Sequence, residues 1–375
     1  DSCLVGSEMC IRDSIKRFIT LIIVFTFLLN SIALSEEIDD GLLTTEYYLS
    51  YDLDKEEIMF INNGDKPIAP ASLTKLMTAL LLLDSNNLGD LIEINFPENY
   101  VYEGKVAYLE TGQKMTVESL LEFILIYSAN DACIAASMIV SGNVDDFIAL
   151  MNNKAKELGM NGTNFTNPDG LDSDYHYTTL NDLLILSKEV VKHIELLTII
   201  MKPSFISDIE GSDKVYLNTN KLIENNYLGL KTGWTNEAGL TFIGVNLSNN
   251  REILTIVNKS TVNESKDNHF SDTEILYKLS IDTFVNNVLL EDDIEAYIIR
   301  NAFNTSTIKT ATSWTVFGNK YAENNLFLNN INTKKLEFKV NENVHSIKIT
   351  DSLDKKIWNF NFTKFLSFNA NQNNE

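Results

Sequence analysis

The sequence predicts an α+β domain followed by a small all-β domain. Two strand patterns precede a block of apolar helices, and three more strand patterns follow that block after Pro203. Strands from both ends of the segment are therefore expected to pair in one antiparallel sheet. Beyond Leu290, apolar and polar residues alternate again, as at Leu336, Phe338 and Val340, which is typical of an antiparallel sheet with one solvated face.

The N-terminus is set aside before the fold is considered. Residues 15–35 have a basic start, an apolar stretch from Phe18 to Leu29 and a small-x-small site at Ala33-Leu34-Ser35. This pattern predicts a secretory signal peptide and a mature start near Glu36. A transmembrane anchor is the alternative, but the apolar run is shorter than the ~20 residues that a span needs. Residues 1–14 fit neither role and are interpreted as a non-native leader.

The first half of the main domain alternates strand and helix patterns. Two strands are predicted in TTEYYLSYDL and EEIMFINNG, joined by an acidic turn. An apolar helix begins near Ser72, and a second runs from Val117 to Tyr127. Helical patterns continue in ANDACIAASMIV and VDDFIALMNNKAKELGM. After a turn-rich loop, a capping box at Thr179 to Asp182 starts another helix.

The second half returns to strands. They are predicted in LGLKTGWT, GLTFIGVNLS and REILTIVNKS, with a hairpin turn at Asn249-Asn250. A last helix is expected from Ser271 to Val288. The predicted domains are therefore 36–288 and a β-rich 289–375 that ends in a disordered, asparagine-rich tail.

Composition excludes several classes of function. The formal net charge of −22 over 375 residues argues against a nucleic-acid partner, which needs a basic face. Cys133 is the one cysteine of the mature chain and is expected to be a small buried residue. The four histidines, His176, His193, His269 and His345, lack metal-ligand spacing. No metal and no cofactor are predicted.

Three short motifs carry chemistry because of their order and setting. Ser-x-x-Lys occurs three times, but only Ser72/Lys75 opens a strong apolar helix. Ser128-Ala129-Asn130 follows the end of the second helix. Lys231-Thr232-Gly233 lies on a predicted strand downstream of both. The alternative for Ser72 and Lys75, a capping serine beside a surface lysine, is open for the first motif taken alone.

The spacing of the first motif suits nucleophilic catalysis. Positions i and i+3 are neighbours on a helix, so Lys75 can reach the Ser72 hydroxyl. A lysine accepts a proton only when burial or a nearby cation lowers its pKa, and Lys231 is the expected second cation. Ser72 would then attack a carbonyl and form an acyl-enzyme. Ser128 would relay a proton to the leaving amine, and Asn130 would donate to the substrate amide.

Together these motifs resemble the serine-type D-alanyl-D-alanine carboxypeptidases, the low-molecular-weight penicillin-binding proteins similar to penicillin-binding proteins 5 and 6. The likeness runs from Thr44 to Phe284 and includes PASLTKLMTA, YSANDAC, NTNKL and GLKTGWTNEAGLTFIGV. It implies a β-lactamase/transpeptidase-like domain. It also implies removal of the terminal D-alanine from the peptidoglycan pentapeptide stem, with β-lactams as covalent inhibitors.

The resemblance also implies substrate-binding roles. The backbone amides of Ser72 and Trp234 would bind the oxyanion, and Thr232, next to Gly233, would bind the terminal carboxylate. Two positions depart from the family pattern. Ala129 replaces a glycine, and His269 replaces an arginine that pairs with the substrate carboxylate. A neutral imidazole cannot form that bidentate pair, so Lys231 and Lys266 are alternatives.

Two other functions stay open. A β-lactamase needs a deacylating base, but no Glu-x-x-Leu-Asn pattern occurs between Gly159 and Leu230. A weakly catalytic peptidoglycan-binding or scaffold protein is the second, and His269 is its best support. We expect the mature protein in the periplasm or cell envelope, with at most weak inner-membrane association, because the tail lacks a basic amphipathic face. Preference between carboxypeptidase and endopeptidase action is open.

Overall fold

The computed structural model divides the chain into a larger unit that ends at Ile281 and a smaller unit that begins at Asp282. It describes residues 38, 41–209, 213–247 and 251–290, and beyond these the backbone of six strands that end at Phe362. The proposed leader, signal peptide, Asn249-Asn250 turn and C-terminal tail lie outside the described residues.

The larger unit is built on a five-stranded antiparallel sheet. Its strand order is β2-β1-β9-β8-β7, and β1 pairs with β9 from Tyr47 opposite Asn258 to Asp52 opposite Ile253. The predicted sheet with strands from both ends of the segment is therefore confirmed. The strands are β1 (Tyr47–Asp52), β2 (Glu57–Asn62), β3 (Leu91–Glu93), β4 (Lys114–Thr116), β5 (Ser204–Ile206), β6 (Val215–Leu217), β7 (Tyr227–Thr235), β8 (Gly239–Asn246) and β9 (Ile253–Ser260).

Helices cover both faces of this sheet. Ser50 and Tyr51 are neighbours on β1 and so point to opposite faces. Ser50 Oγ accepts a hydrogen bond from Ser280 Oγ of α7 (2.8 Å), whereas Tyr51 OH accepts one from Lys188 Nζ of α5 (2.9 Å). The helices are α1 (Lys75–Ser85), α2 (Val117–Glu122), α3 (Asn130–Ser141), α4 (Val144–Leu158), α5 (Leu180–Val190), α6 (Ile194–Ile200) and α7 (Asn268–Thr283).

The central helix is α1, which is buried on all sides from Lys75 to Leu82. Such a helix belongs to the interior of a domain. Cys133 on α3 is also fully buried, as predicted. Within the described ranges no single helix is long and apolar enough to cross a membrane, and α3 with α4 meets that test only as a pair bent by 86°.

Two helix ends differ from the sequence predictions. The second helix is α-helical only to Glu122 and continues as a π-helical turn over Phe123–Tyr127. The last helix ends at Thr283, and β10 (Phe284–Leu290) follows where helix was expected. β10 pairs with β13 (Trp314–Asn319), and a partner strand distant in sequence overrides a local helical pattern.

The smaller unit shows antiparallel strands where it is described. β10 pairs with β13, and β11 (Glu295–Arg300) pairs with β12 (Thr305–Lys309). A three-stranded sheet follows the order β14-β15-β16. Its strands are β14 (Glu337–Asn341), β15 (Val344–Thr350) and β16 (Lys356–Phe362). The two alternating segments identified in the sequence, around Phe338 and Trp358, are therefore strands, as predicted.

Candidate active site

The first wall of the site is the turn that carries Ser72. A 3₁₀ turn, Ala71–Thr74, leads directly into α1, so Ser72 precedes the α-helix instead of lying inside it. Ala71 adopts a left-handed conformation with φ +48°. Lys75 is the first residue of α1, and its side chain is fully buried. Its Nζ lies 2.9 Å from Ser72 Oγ.

The Lys75 amine has three oxygen partners. They are Ser72 Oγ at 2.9 Å, Asn130 Oδ1 at 2.8 Å and the Asp169 carbonyl oxygen at 2.5 Å. The amide and carbonyl oxygens can only accept, whereas a hydroxyl can also donate. A neutral amine that keeps its bonds to Asn130 and Asp169 therefore directs its lone pair at Ser72.

The second wall comes from the end of the π-helical turn. Ser128 has a left-handed backbone (φ +68°), and the next N–H, of Ala129, donates to the Phe123 carbonyl oxygen at 2.9 Å. This break turns Ser128 and Asn130 toward the pocket. Asn130 Nδ2 donates to the Glu103 carbonyl oxygen at 3.0 Å, which leaves Oδ1 to accept from Lys75.

The third wall is β7, with Lys231-Thr232-Gly233. A Cβ at Gly233 would lie 2.7 Å from Thr241 Cγ2 and 3.1 Å from Ser72 N, so glycine lets the strand pass beside the Ser72 turn. Lys231 is buried, and its Nζ donates to the Thr232 carbonyl oxygen at 3.0 Å. Burial, and then the charges of Lys75 and Lys105, lower the pKa of Lys231 well below its usual range.

A loop that the sequence motifs did not assign completes the floor. The sequence predicted only a turn-rich loop here, but the Asp169 carbonyl oxygen accepts a hydrogen bond from Lys75 Nζ. Gly170 has φ +89°, and a Cβ there would lie 1.9 Å from the Ala71 carbonyl oxygen. Thr78 Oγ1 donates to the Pro168 carbonyl oxygen at 2.6 Å and fixes the loop on α1. The Asn-Pro-Asp-Gly pattern predicts a turn at this position, but it does not show that the loop contacts Lys75.

The far end of the pocket is rich in cations. Thr232 Oγ1 donates to Thr219 Oγ1 at 2.7 Å, and Lys266 Nζ lies 4.3 Å from the Trp234 ring centroid. Lys221 lines the same end. His269 is buried, its ring centroid lies 4.0 Å from that of Phe270, and its Nδ1 has no hydrogen-bond partner among the described residues. Burial, with the charge of Lys221, lowers the pKa of His269 to about 4.

These walls enclose one open cavity of about 670 Å³. Lys75 and Lys231 lie buried beneath its surface. Lys105 and Lys221 also line the cavity. The sequence analysis gave neither a role, although Lys221 lies in NTNKL, one of the stretches that carry the family resemblance. The other predicted site residues line it, namely Ser72, Ser128, Asn130, Thr232, Gly233, Trp234 and His269.

Comparison with known families agrees with this arrangement. Residues 36–261 match the family model described as D-alanyl-D-alanine carboxypeptidase. The chain belongs to this carboxypeptidase family. It is 33% identical over 237 residues to the D-alanyl-D-alanine carboxypeptidase DacF of Bacillus subtilis, and this match covers 60% of this chain and 61% of DacF. DacA of Escherichia coli is 28% identical over 219 residues, and this match covers 54% of this chain and 52% of DacA. The chain thus matches between half and three fifths of these relatives' length.

Solved structures of two penicillin-binding proteins share the fold. Penicillin-binding protein D2 of Listeria monocytogenes, in its cefotaxime-bound form, is 30% identical with a TM-score of 0.56, covering 64% of this chain and 98% of that chain. Penicillin-binding protein 6B of Escherichia coli covers 89% of this chain and 99% of its own, with a TM-score of 0.67 at 20% identity. The second likeness bears on the fold alone.

In this member of the carboxypeptidase family a buried histidine supports the Ser72 turn. The Thr166 N–H donates to His176 Nδ1 at 3.0 Å, so Nδ1 is an acceptor and Nε2 carries the proton. Nε2 in turn donates to Oγ1 of Thr74, in the turn that carries Ser72, at 2.8 Å. Burial lowers the pKa of His176 to about 4.

Acidification should therefore destabilise the protein through His176. The unfolded chain binds this proton near pH 6.5 and the folded chain near pH 4, so the stabilisation is complete above pH 6.5 and is lost as pH falls toward 4. At pH 5 the loss from His176 is about 2 kcal/mol. The free energy of unfolding, measured by urea denaturation, should be lower at pH 5 than at pH 7. In His176→Gln this difference should be smaller by about the same amount. An equal loss in the variant would show that His176 does not carry it.

Proposed function

We propose that this protein is a serine-type D-alanyl-D-alanine carboxypeptidase that removes the terminal D-alanine from peptidoglycan pentapeptides. The observation that carries the proposal is the Lys75 amine, 2.9 Å from Ser72 Oγ and bonded otherwise to two oxygens that can only accept. Membership of the carboxypeptidase family and the names of its curated relatives support the substrate class.

In acylation, Ser72 Oγ attacks the carbonyl carbon of the penultimate D-alanine while its proton passes to Lys75 Nζ. The peptide C–N bond then breaks. The leaving amine takes a proton that Lys75 returns through Ser128 Oγ, and D-alanine departs. Water hydrolyses the resulting ester by the same groups, which releases the shortened peptide and restores Ser72.

A neutral amine at neutral pH is the central requirement, and a cluster of three lysines supports it. Burial, with the charges of Lys75 and Lys105, depresses the pKa of Lys231, and burial with the charge of Lys75 lowers the pKa of Lys105 to about 8. Three ammonium groups repel one another in a poorly solvated site, so the cluster gives up a proton readily. Ser72 can pass its proton to this cluster when the vacancy is on the Lys75 amine itself, which the proposed mechanism requires.

The oxyanion of the tetrahedral intermediate would lie between the backbone N–H groups of Ser72 and Trp234. Gly233 supports this assignment because it allows β7 to approach the Ser72 amide closely. One such donor is typically worth about 3 kcal/mol in the transition state. Both donors are backbone groups, so no side-chain substitution removes them directly.

Loss of Ser72 should abolish covalent chemistry. Ser72→Ala should lose labelling by fluorescent penicillin, and D-alanine release from diacetyl-L-lysyl-D-alanyl-D-alanine should fall by roughly 10⁴-fold or more. Ser85→Ala, at the far end of the helix that Ser72 precedes, is the matched control and should keep both activities.

Unchanged labelling of Ser72→Ala would reject Ser72 as the nucleophile. Labelling of the wild-type protein without D-alanine release would favour a peptidoglycan-binding role, and rapid turnover of nitrocefin would favour a β-lactamase.

The terminal carboxylate of the substrate would bind at the cation-rich end of the pocket. Thr232 Oγ1 can turn from Thr219 to the carboxylate, and Lys221 and Lys266 line the same end. His269 contributes no charge near neutral pH, since its pKa is lowered to about 4. The two lysines thus supply the positive charge that an arginine at position 269 would give.

Removing these charges should weaken substrate binding. Lys221→Gln and Lys266→Gln should each raise KM for the diacetyl tripeptide about tenfold, because each removes a charge-assisted contact. Lys278→Gln, on the exposed side of α7, should leave KM unchanged. Steady-state kinetics of D-alanine release measure the effect, and a fall in kcat at constant KM would argue against carboxylate binding.

We also propose that the mature protein acts in the periplasm, with at most weak attachment to the inner membrane. The basic-apolar segment before Glu36 supports this placement. After expression in a Gram-negative host, mass spectrometry of the periplasmic fraction should find an N-terminus near Glu36. Recovery of an unprocessed chain, or of the mature chain in salt-washed membranes, would contradict it.

A further inference from the structure

A group of aromatic side chains is exposed in the segment that joins β3 to β4. The rings of Phe96 and Tyr100 are stacked with their centroids 4.7 Å apart, and Tyr102 meets Tyr100 edge to face at 5.2 Å. The Tyr108 ring centroid lies 5.5 Å from that of Tyr102. Tyr102 and Tyr108 are both exposed, and Tyr108 is 67% accessible to solvent. We call these four residues the aromatic platform.

Hydrogen bonds on both sides of Tyr108 hold it in this exposed position. Its backbone is left-handed, with φ +63°, which is uncommon for an aromatic residue. The N–H groups of its two neighbours, Ala107 and Leu109, donate to the buried Asp131 carboxylate at 3.0 and 2.9 Å. Tyr102 OH donates to the Leu109 carbonyl oxygen. A ring that is fixed in this way loses little freedom when a ligand stacks on it.

The aromatic platform is continuous with the rim of the pocket. The three residues that follow Tyr102 all line the cavity, namely Glu103, Gly104 and Lys105. Asn130 fixes this segment, because its Nδ2 donates to the Glu103 carbonyl oxygen at 3.0 Å and its backbone N–H donates to that of Lys105 at 2.7 Å. Consecutive Cα atoms are about 3.8 Å apart, so the platform begins within one residue of the cavity lining.

The chemistry of the platform suits a sugar. Sugar rings have apolar faces of C–H groups, which are attracted to the electron-rich face of an aromatic ring. The hydroxyl and acetamido groups at the edge of an amino sugar donate hydrogen bonds to carboxylates. Glu103 follows Tyr102 directly, and burial with the charges of Asp131 and Glu110 raises the pKa of Tyr102, which indicates that the Glu110 carboxylate is also near. Aromatic faces and acceptors therefore lie side by side.

The proposed substrate brings a sugar to this part of the molecule. When a pentapeptide stem loses its last residue, four residues separate the cleaved bond from the sugar that carries the stem. Four extended residues span roughly 14 Å. The sugar is therefore held within this distance of the bond that Ser72 attacks, and the rim of the pocket is where an exposed ring can meet it.

We propose that the aromatic platform binds the chain of N-acetylated amino sugars that carries the stem peptide. The sugar would stack on Tyr102 and Tyr108 and would raise kcat/KM by adding binding energy, without a part in bond cleavage. This inference rests on the proposed function, because the stem peptide is what brings the sugar to the pocket.

Two substrates that differ only in the sugar test the proposal. One is the N-acetylated pentapeptide L-alanyl-γ-D-glutamyl-L-lysyl-D-alanyl-D-alanine, and the other is the same pentapeptide carried on the disaccharide N-acetylglucosaminyl-N-acetylmuramic acid. The measured quantity is the ratio of their kcat/KM values for D-alanine release. We expect the wild-type protein to favour the disaccharide substrate about tenfold. Tyr108→Ala should reduce this ratio, and the double variant Tyr102→Ala/Tyr108→Ala should bring it close to one.

The ratio separates the platform from effects on the catalytic groups, because a change within the pocket acts on both substrates and cancels. Tyr108→Phe keeps the ring and should keep the wild-type ratio. Tyr175→Ala, which removes a tyrosine of similar exposure (71%) outside the cavity lining, is the matched control and should also keep it.

A wild-type ratio near one, or a preference that survives in the double variant, would overturn the proposal. Loss of the preference in Tyr108→Phe would contradict stacking on the ring. A ratio near one, together with binding to phospholipid vesicles that Tyr108→Ala abolishes, would assign the platform to a membrane surface instead.

Failure of the proposed function would look different. A wild-type protein that releases no D-alanine from either substrate would contradict the carboxypeptidase activity and not the platform. In that event a peptide-free tetrasaccharide of alternating N-acetylglucosamine and N-acetylmuramic acid is titrated into the wild-type protein and followed by NMR. Binding that Tyr108→Ala weakens about tenfold supports the platform. Equal binding by the two proteins, or no binding by either, overturns it.

Discussion

The rest of this site depends on one buried amine. A lysine inside an apolar core is tolerated only when its amine has a partner for each N–H and for its lone pair, because an unsatisfied buried polar group is costly. Lys75 meets this condition with three oxygens from three different segments: the turn of Ser72, the start of α3 and the loop of Asp169. These three segments are also walls of the pocket, so the contacts that allow Lys75 to be buried hold the walls together.

The supporting structure follows from that constraint. Gly170 and Gly233 lie where the two flanking segments come too close to the Ser72 turn for a side chain. Ser128 has a left-handed backbone at the end of a π-helical turn, an arrangement that is uncommon and is held here by the surrounding core. His176 holds the Ser72 turn through a hydrogen bond from its Nε2 to Thr74 Oγ1. Local strain and close packing are thus concentrated at the residues that need fixed positions.

Much of this could be predicted from the sequence. The spacing of Ser72 and Lys75 fixed their proximity, and the order of strands and helices gave the α+β architecture. The 3₁₀ and π turns could not be predicted, since both arise from tertiary packing around ordinary helical patterns. The Asp169 contact uses a backbone carbonyl, which any residue supplies, so no residue type reveals it. The helix expected to reach Val288 ends at Thr283 because a distant strand pairs with the residues beyond it.

The central claim is that, in the active form, Lys75 is a neutral amine whose lone pair faces Ser72. Neutron diffraction from deuterated crystals, at the pH used for the penicillin-labelling test, locates the protons directly. The account predicts two deuterons on Lys75 Nζ, directed at Asn130 Oδ1 and the Asp169 carbonyl oxygen, and a Ser72 deuteron directed at Nζ. A third deuteron on Nζ that points at Ser72 Oγ would contradict it.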